Sequence, residues 1–66
     1  MNYPRLIKRL RASLFLSQTD LAEILGTNKV SVSRWENGKF IPSNKYKKEL
    51  YVLFKKHISE EINSHV

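Results

Sequence analysis

The chain has no cysteine, only two glycines and two prolines, and no long apolar run. Without thiols it forms neither disulfide bonds nor thiolate metal sites, which fits a reducing compartment. Its longest apolar run, at 50–54, is too short to span a bilayer, and no apolar stretch of a secretory signal follows the early positive charges. We therefore expect one small domain over 1–66, cytoplasmic and without membrane contacts.

Acidic residues are also scarce compared with basic ones. Twelve lysines and arginines accompany six aspartates and glutamates, so the net charge is +6 and the pI about 9.9. All twelve cations lie within 1–56, whose net charge is +8, whereas 57–66 carries −2. This asymmetry favours a polyanionic partner for the basic part and a different partner for the acidic end.

The apolar residues follow helical spacing, and no alternating run predicts a strand. The first predicted helix covers about 3–14, and Pro4 is tolerated in its first turn, where N–H groups have no helical partner. One face of this helix is apolar and should be buried. It consists of Leu6, Ile7, Leu10 and Leu14.

Two shorter helices follow, separated by a tight turn. Ser17 predicts the start of the first one, because its hydroxyl can accept the N–H of Asp20 in a capping box. Gly26 ends that helix, and Thr27 or Asn28 caps the next. A turn of so few residues makes the two helices cross steeply, as in a helix-turn-helix.

The third helix has two different sides. Val32 and Trp35 project inward, so we expect Trp35 to pack in the core rather than to stack on bases. The opposite side is polar and basic, which packing does not require and which suits a helix in the major groove of DNA. It carries Lys29, Val30, Ser33, Arg34 and Asn37. Gly38 ends the helix, and Phe40 and Ile41 in the following loop should pack against the core.

The last third of the chain contains no glycine or proline and should be helical after a cap at Ser43 or Asn44, as one helix or as two with a bend. The stretch 50–54 is apolar on every side, which exceeds what one buried face needs. We interpret the surplus as a twofold dimer contact. The domain then divides into 1–43, with three helices and a loop, and 44–66, the helical segment of this interface.

The chain resembles the lambda-repressor/Cro-like helix-turn-helix regulators, also called the xenobiotic-response-element family. The matching pieces are Ile-Lys-Arg-Leu-Arg at 7–11, Leu-Ser-Gln-Thr-Asp-Leu-Ala at 16–22, Leu-Gly at 25–26, Val-Ser-Arg-Trp-Glu-Asn-Gly-Lys at 32–39 and Pro-Ser at 42–43. The resemblance implies a compact all-α bundle of four or five helices that binds operator DNA as a dimer. The family usually has a small residue where this chain has Phe15, which leaves that ring either exposed or in contact with a partner.

The resemblance also implies which residues contact DNA. They are Gln18, Asn28, Lys29, Val30, Ser33, Arg34, Asn37 and Lys39. Asn28, Lys29 and Val30 match base-reading positions, and Arg34 matches a base or phosphate contact one turn along. Lysine or arginine to guanine is the commonest direct contact, and valine can meet a thymine methyl group. For Asn28, a capping role is favoured over the reading of adenine.

The remaining matches concern phosphate and structure. Gln18 is expected to contact phosphate and to brace the third helix, and the N–H groups at the start of its helix also favour an anion. Asn37 and Lys39 match phosphate contacts after the third helix. Arg11 and Glu36 match an ion pair between the first and third helices, which is favoured over an unpaired glutamate beside DNA.

Other candidates for chemistry are weak. Lys45, Lys47 and Lys48 are either a solvated face or neighbours of phosphate. His57 and His65 lie eight residues apart without thiolate or acidic partners, so we predict no metal site. No paired carboxylates, phosphate-binding glycine loop or cysteine nucleophile is present, so we predict no catalytic residues and no cofactor.

We therefore predict a small prokaryotic or phage-type transcriptional regulator that binds double-stranded DNA sequence-specifically as a homodimer. It would be associated with the nucleoid when bound. One alternative is a restriction–modification controller or an antitoxin that uses 50–66 to bind a partner protein. The other is a helix-turn-helix used only for protein–protein contacts, which would bind DNA weakly and without sequence preference.

Overall fold

The computed structural model describes the backbone of residues 2–63 and the side chains of residues 2–57. Its four helices are α1 (Tyr3–Leu14), α2 (Gln18–Leu25), α3 (Lys29–Glu36) and α4 (Asn44–Asn63). Within the described backbone there is no strand, so the predicted all-α class is confirmed. Helix α3 packs against α1 and α2, and α1 also packs against α4. No described helix is long and apolar enough to cross a membrane.

The turn between α1 and α2 contains an unusual backbone conformation. Phe15 adopts φ 56° and ψ 41°, in the left-handed region, and its N–H bonds the carbonyl of Ala12 at 3.3 Å. The N–H of Leu16 bonds the carbonyl of Arg11 at 2.9 Å, which completes the closing pattern of the helix. Glycine normally occupies such a position, because a Cβ crowds the backbone there. The ring of Phe15 is 95% exposed.

The caps of α2 and α3 form as the sequence predicts. The Ser17 hydroxyl accepts the N–H of Asp20 at 3.0 Å, and the Asp20 carboxylate accepts the N–H of Ser17 at 2.9 Å. Hydrogen bonding by Ser17, above all from its backbone N–H, favours the charged carboxylate and lowers the pKa of Asp20. Gly26 ends α2 at φ 73°. Of the two candidate caps for α3, Asn28 is the one used, since its side chain accepts the N–H of Ser31 at 3.0 Å.

The core lies where α1, α2 and α3 meet the first half of α4. Its buried apolar residues are Ile7, Leu10, Leu21, Ala22, Leu25, Val32, Trp35 and Leu50. Trp35 is 5% exposed, and its ring centroid lies 5.2 Å from that of Tyr46. This aromatic pair joins α3 to α4, and the predicted core position of Trp35 is confirmed.

The loop between α3 and α4 corrects one prediction. Phe40 and Ile41 were expected to pack against the core, but they are 57% and 71% exposed. Pro42 is the residue that turns inward and is fully buried. The buried Pro42 occupies the place of this loop in the core, which leaves Phe40 and Ile41 on the surface. Helix α4 then runs unbroken from Asn44, and the carbonyl of Ser43 accepts its first helical hydrogen bond at 2.9 Å.

Candidate nucleic-acid interface

The exposed side of α3 and the turn after it enclose a shallow hollow of about 430 Å³. We call it the α3 hollow; it is lined by Lys29, Val30, Ser33, Arg34, Asn37 and Lys39. Six of the eight predicted contact residues are therefore brought together on one surface. Three of the lining residues are cations and none is acidic. The hollow is thus electropositive and can accommodate a polyanion.

The α3 hollow is held in place by the opposite side of the same helix. Val32 and Trp35 are buried in the core, and Glu36 is 5% exposed. Because a helix advances 100° per residue, Val32 and Trp35 project away from the hollow, while Glu36 lies at the border between the two sides. The core therefore fixes the orientation of α3 without using the side chains that face outward.

A bidentate ion pair fixes the last turn of α3. The Arg11 guanidinium donates from Nε to Oε2 of Glu36 and from Nη2 to Oε1 at 2.9 Å. Its Nη1 donates to the carbonyl of Leu16 at 3.1 Å. The hydrogen bonds to Glu36 raise the pKa of Arg11 above its ordinary value. The predicted ion pair between the first and third helices is confirmed.

Gln18, the first residue of α2, lies outside the α3 hollow. Its side-chain Nε2 donates to Oε1 of Glu36 at 3.3 Å, so it joins the start of α2 to the end of α3. Glu36, at the end of α3, therefore receives hydrogen bonds from both α1 and α2. The contact of Gln18 with phosphate stays a prediction.

Asn28 lies before the first turn of α3, and its side-chain oxygen accepts the N–H of Ser31. Bidentate reading of adenine requires the oxygen and the amide nitrogen of one asparagine together. Since the oxygen is engaged in the cap, the structure favours the capping role for Asn28.

A helix-turn-helix family model matches residues 7–50 of the chain, which include all of α2 and α3 and the turn between them. The chain belongs to the Cro/C1-type helix-turn-helix family. Members of this family are DNA-binding regulators, and the predicted fold and DNA-binding class are confirmed. No curated protein and no solved structure matches the chain significantly.

In this Cro/C1-type protein the lysines at the start of α4 lie beside aromatic rings. The Nζ of Lys45 is 5.5 Å from the ring centroid of Tyr46, and that of Lys47 is 5.7 Å from that of Tyr3. A contact of these lysines with phosphate stays a prediction. Among the described residues no group of three or more histidine, aspartate or glutamate side chains could hold a metal ion. His65 lies outside these residues.

One neighbour of the α3 hollow could not be identified from the sequence. Phe40 comes directly after Lys39, the last lining residue of the hollow. The Cζ atom of Arg34 lies 5.3 Å from the centroid of the Phe40 ring. The two residues are six apart across a helix end, and no helical periodicity extends over such a turn. Only the adjacency of an aromatic residue to the basic helix could have indicated the contact.

Proposed function

We propose that the chain is a sequence-specific transcriptional regulator of prokaryotic or phage type, which places α3 in the major groove of operator DNA. The observation that supports this proposal best is the α3 hollow. It presents three cations and no acid on α3 and the turn after it, and the other side of α3 is held in the core. A major groove about 12 Å wide admits one helix and exposes both base edges and flanking phosphates to it.

Position along the motif suggests a task for each residue. Lys29 and Val30 lie in the first turn of α3 and Arg34 one turn later, so these three would face base edges. Lys39 follows the helix and would contact phosphate. Gln18 opens α2, whose first N–H groups point toward any nearby phosphate. Phosphate contacts would then supply orientation, and α3 would supply the choice of sequence.

The proposed working unit is a homodimer formed through a groove between α2 and α4. This α2–α4 groove has a volume of about 320 Å³ and is lined by Ile24, Leu25, Lys48, Glu49, Val52 and Leu53. Ile24 and Val52 are 53% and 60% exposed, and burying them against a second copy would remove apolar surface from water. Lys48 and Glu49 carry opposite charges, so a twofold copy could pair one with the other.

The experiment begins with selection of a preferred duplex from a random pool, followed by affinity measurements against random DNA at two salt concentrations. We expect the protein to bind the selected duplex at least ~10³-fold more tightly than random DNA. Arg34→Ala should narrow this ratio, whereas Lys39→Ala should weaken both duplexes alike and lower the salt slope by about one. The matched control is Arg5→Ala, which removes an exposed cation of α1 outside the hollow.

A wild-type ratio near one would exclude sequence-specific regulation. It would leave the helix-turn-helix as a surface for protein partners. Equal changes in DNA affinity with Arg5→Ala and Arg34→Ala would mean that only the net charge determines binding. The α3 hollow would then not be the interface.

A further inference from the structure

Phe40 is an exposed aromatic residue that the core does not use. It is 57% exposed, while Pro42, two residues later, is fully buried. Its ring lies beside the guanidinium of Arg34, with 5.3 Å between Cζ and the ring centroid. Arg34 lines the α3 hollow, so an apolar ring adjoins the proposed DNA surface at one of its cations.

The backbone around Phe40 is fixed on both sides. The N–H of Lys39 bonds the carbonyl of Arg34 at 3.0 Å, so the turn is attached to the residue that the ring contacts. Gly38 permits this turn because its φ of 74° suits a residue without a Cβ. Pro42 anchors the other end of the loop in the core. The position of the Phe40 backbone relative to α3 is therefore set by the fold.

A cation–π contact with a ring leaves the guanidinium able to read DNA. An aromatic face attracts a cation lying over it, and the guanidinium is a planar cation suited to this contact. The N–H donors of arginine lie in the plane of that group, so they remain available to a guanine edge or a phosphate. A carboxylate partner would instead occupy the donors, as Glu36 does for Arg11.

We propose that Phe40 is a positioning residue for Arg34, which holds the guanidinium over the α3 hollow before DNA arrives. This inference rests on the proposed function. An unrestrained arginine side chain loses rotamer freedom when it is ordered on DNA. A side chain already restrained by the ring loses less rotamer freedom on binding. The ring therefore increases the contribution of Arg34 to the affinity for DNA.

The first measurement needs no DNA. In NMR spectra of the free protein, the ring current of Phe40 should shift the Arg34 side-chain δ protons upfield. Phe40→Tyr should preserve the shift and Phe40→Leu should abolish it. Ile41→Ala is the control, because it removes a neighbouring exposed apolar side chain from the same loop. Arg34 signals that do not respond to Phe40→Leu would overturn the inference.

The second measurement is a double-mutant cycle on the selected duplex. Phe40→Leu should weaken binding about two- to fivefold, the range of an exposed cation–π contact, and Phe40→Tyr should restore it. In the Arg34→Ala background the Phe40→Leu change should have no further effect. An equal loss of affinity in both backgrounds would mean that Phe40 contacts DNA itself. No loss of affinity in either background would mean that Phe40 does not contribute to DNA binding. Both results overturn the inference.

The two failures are distinguishable. If wild-type protein shows no preference for the selected duplex, the proposed function fails, and the positioning role toward DNA fails with it. If the preference is present but Phe40 and Arg34 do not couple, this inference alone fails. Urea denaturation of each variant verifies that the fold is retained, as expected for a side chain outside the core.

Discussion

At the scale of single residues, Phe15 combines an unfavourable backbone with an unburied side chain. Its φ of 56° carries a strain of about 1–2 kcal/mol for an L residue. The ring is 95% exposed, so packing does not offset that strain. The sequence marked this position as unusual through its departure from a family resemblance. It could not decide between an exposed ring and one that meets a partner, because both satisfy the same local pattern.

We expect Phe15→Gly to raise the free energy of unfolding by roughly 1 kcal/mol, because glycine adopts the left-handed region without strain. Urea denaturation followed by circular dichroism measures the change. Phe15→Ala is the matched control, since it removes the ring and keeps the Cβ, and it should stay near the wild type. Equal stabilisation by both substitutions would assign the effect to the exposed ring and not to the backbone.

Arg11 should be among the polar residues on which the fold depends most. Arg11→Met leaves the Glu36 carboxylate buried without its charged partner, which costs about 3–5 kcal/mol. That is close to the whole stability expected of a domain of this size. Thermal unfolding by circular dichroism should show a strongly lowered Tm, whereas Lys8→Met, an exposed cation on the same helix, should change little.

A second variant separates the loss of the ion pair from the loss of packing. If the buried charge is the cause, Arg11→Met combined with Glu36→Leu should recover a large part of the lost stability. Failure of the double variant to recover any of it would place the effect in the packing of the arginine stem.

At the scale of elements, α2 and the start of α3 were predictable because these helix ends are determined locally. Ser17, Gly26 and Asn28 act through hydrogen bonds and conformations that involve only neighbouring residues. The loop after α3 was not predictable in the same way. Phe40, Ile41 and Pro42 are all apolar, and local sequence does not decide which one points inward. That choice depends on where α4 lies against the core.

The capping box of α2 should make stability depend on acid. The folded-state pKa of Asp20 lies below its ordinary value of 3.8, because hydrogen bonds from Ser17 favour the carboxylate. Its stabilising contribution is therefore complete above the ordinary value and is lost as the pH falls through the lower folded-state pKa. The loss should appear in urea midpoints measured from pH 7 downward. Asp20→Asn, which cannot titrate, should lose less stability with acid than the wild type does, and identical profiles would contradict this account.

At the scale of the whole molecule, the α2–α4 groove is the surface that we expect a second copy to cover. Val52→Asp places a charge on an exposed apolar position of this groove and should convert dimers to monomers in sedimentation velocity. Operator affinity should fall with it, because one subunit reaches only one half-site. The fold should be retained, since Val52 is outside the core.

Phe15→Asp is the matched control for the dimer, because it makes the same kind of change at an exposed apolar residue in another place. Dissociation by Phe15→Asp but not by Val52→Asp would move the interface to the turn between α1 and α2. A wild-type protein that sediments as a monomer on and off DNA would exclude the homodimer altogether.

The separation of the two sides of α3 bears on how such a domain can diverge. Val32, Trp35 and Glu36 hold the helix through the core and the ion pair, while the α3 hollow faces outward. Substitutions in the hollow therefore alter the surface that we propose faces DNA, while they leave the folding free energy almost unchanged. Duplicated copies of the gene could acquire different targets without passing through unstable intermediates. Transplanting only the outward residues into a related scaffold should, for the same reason, transfer target choice.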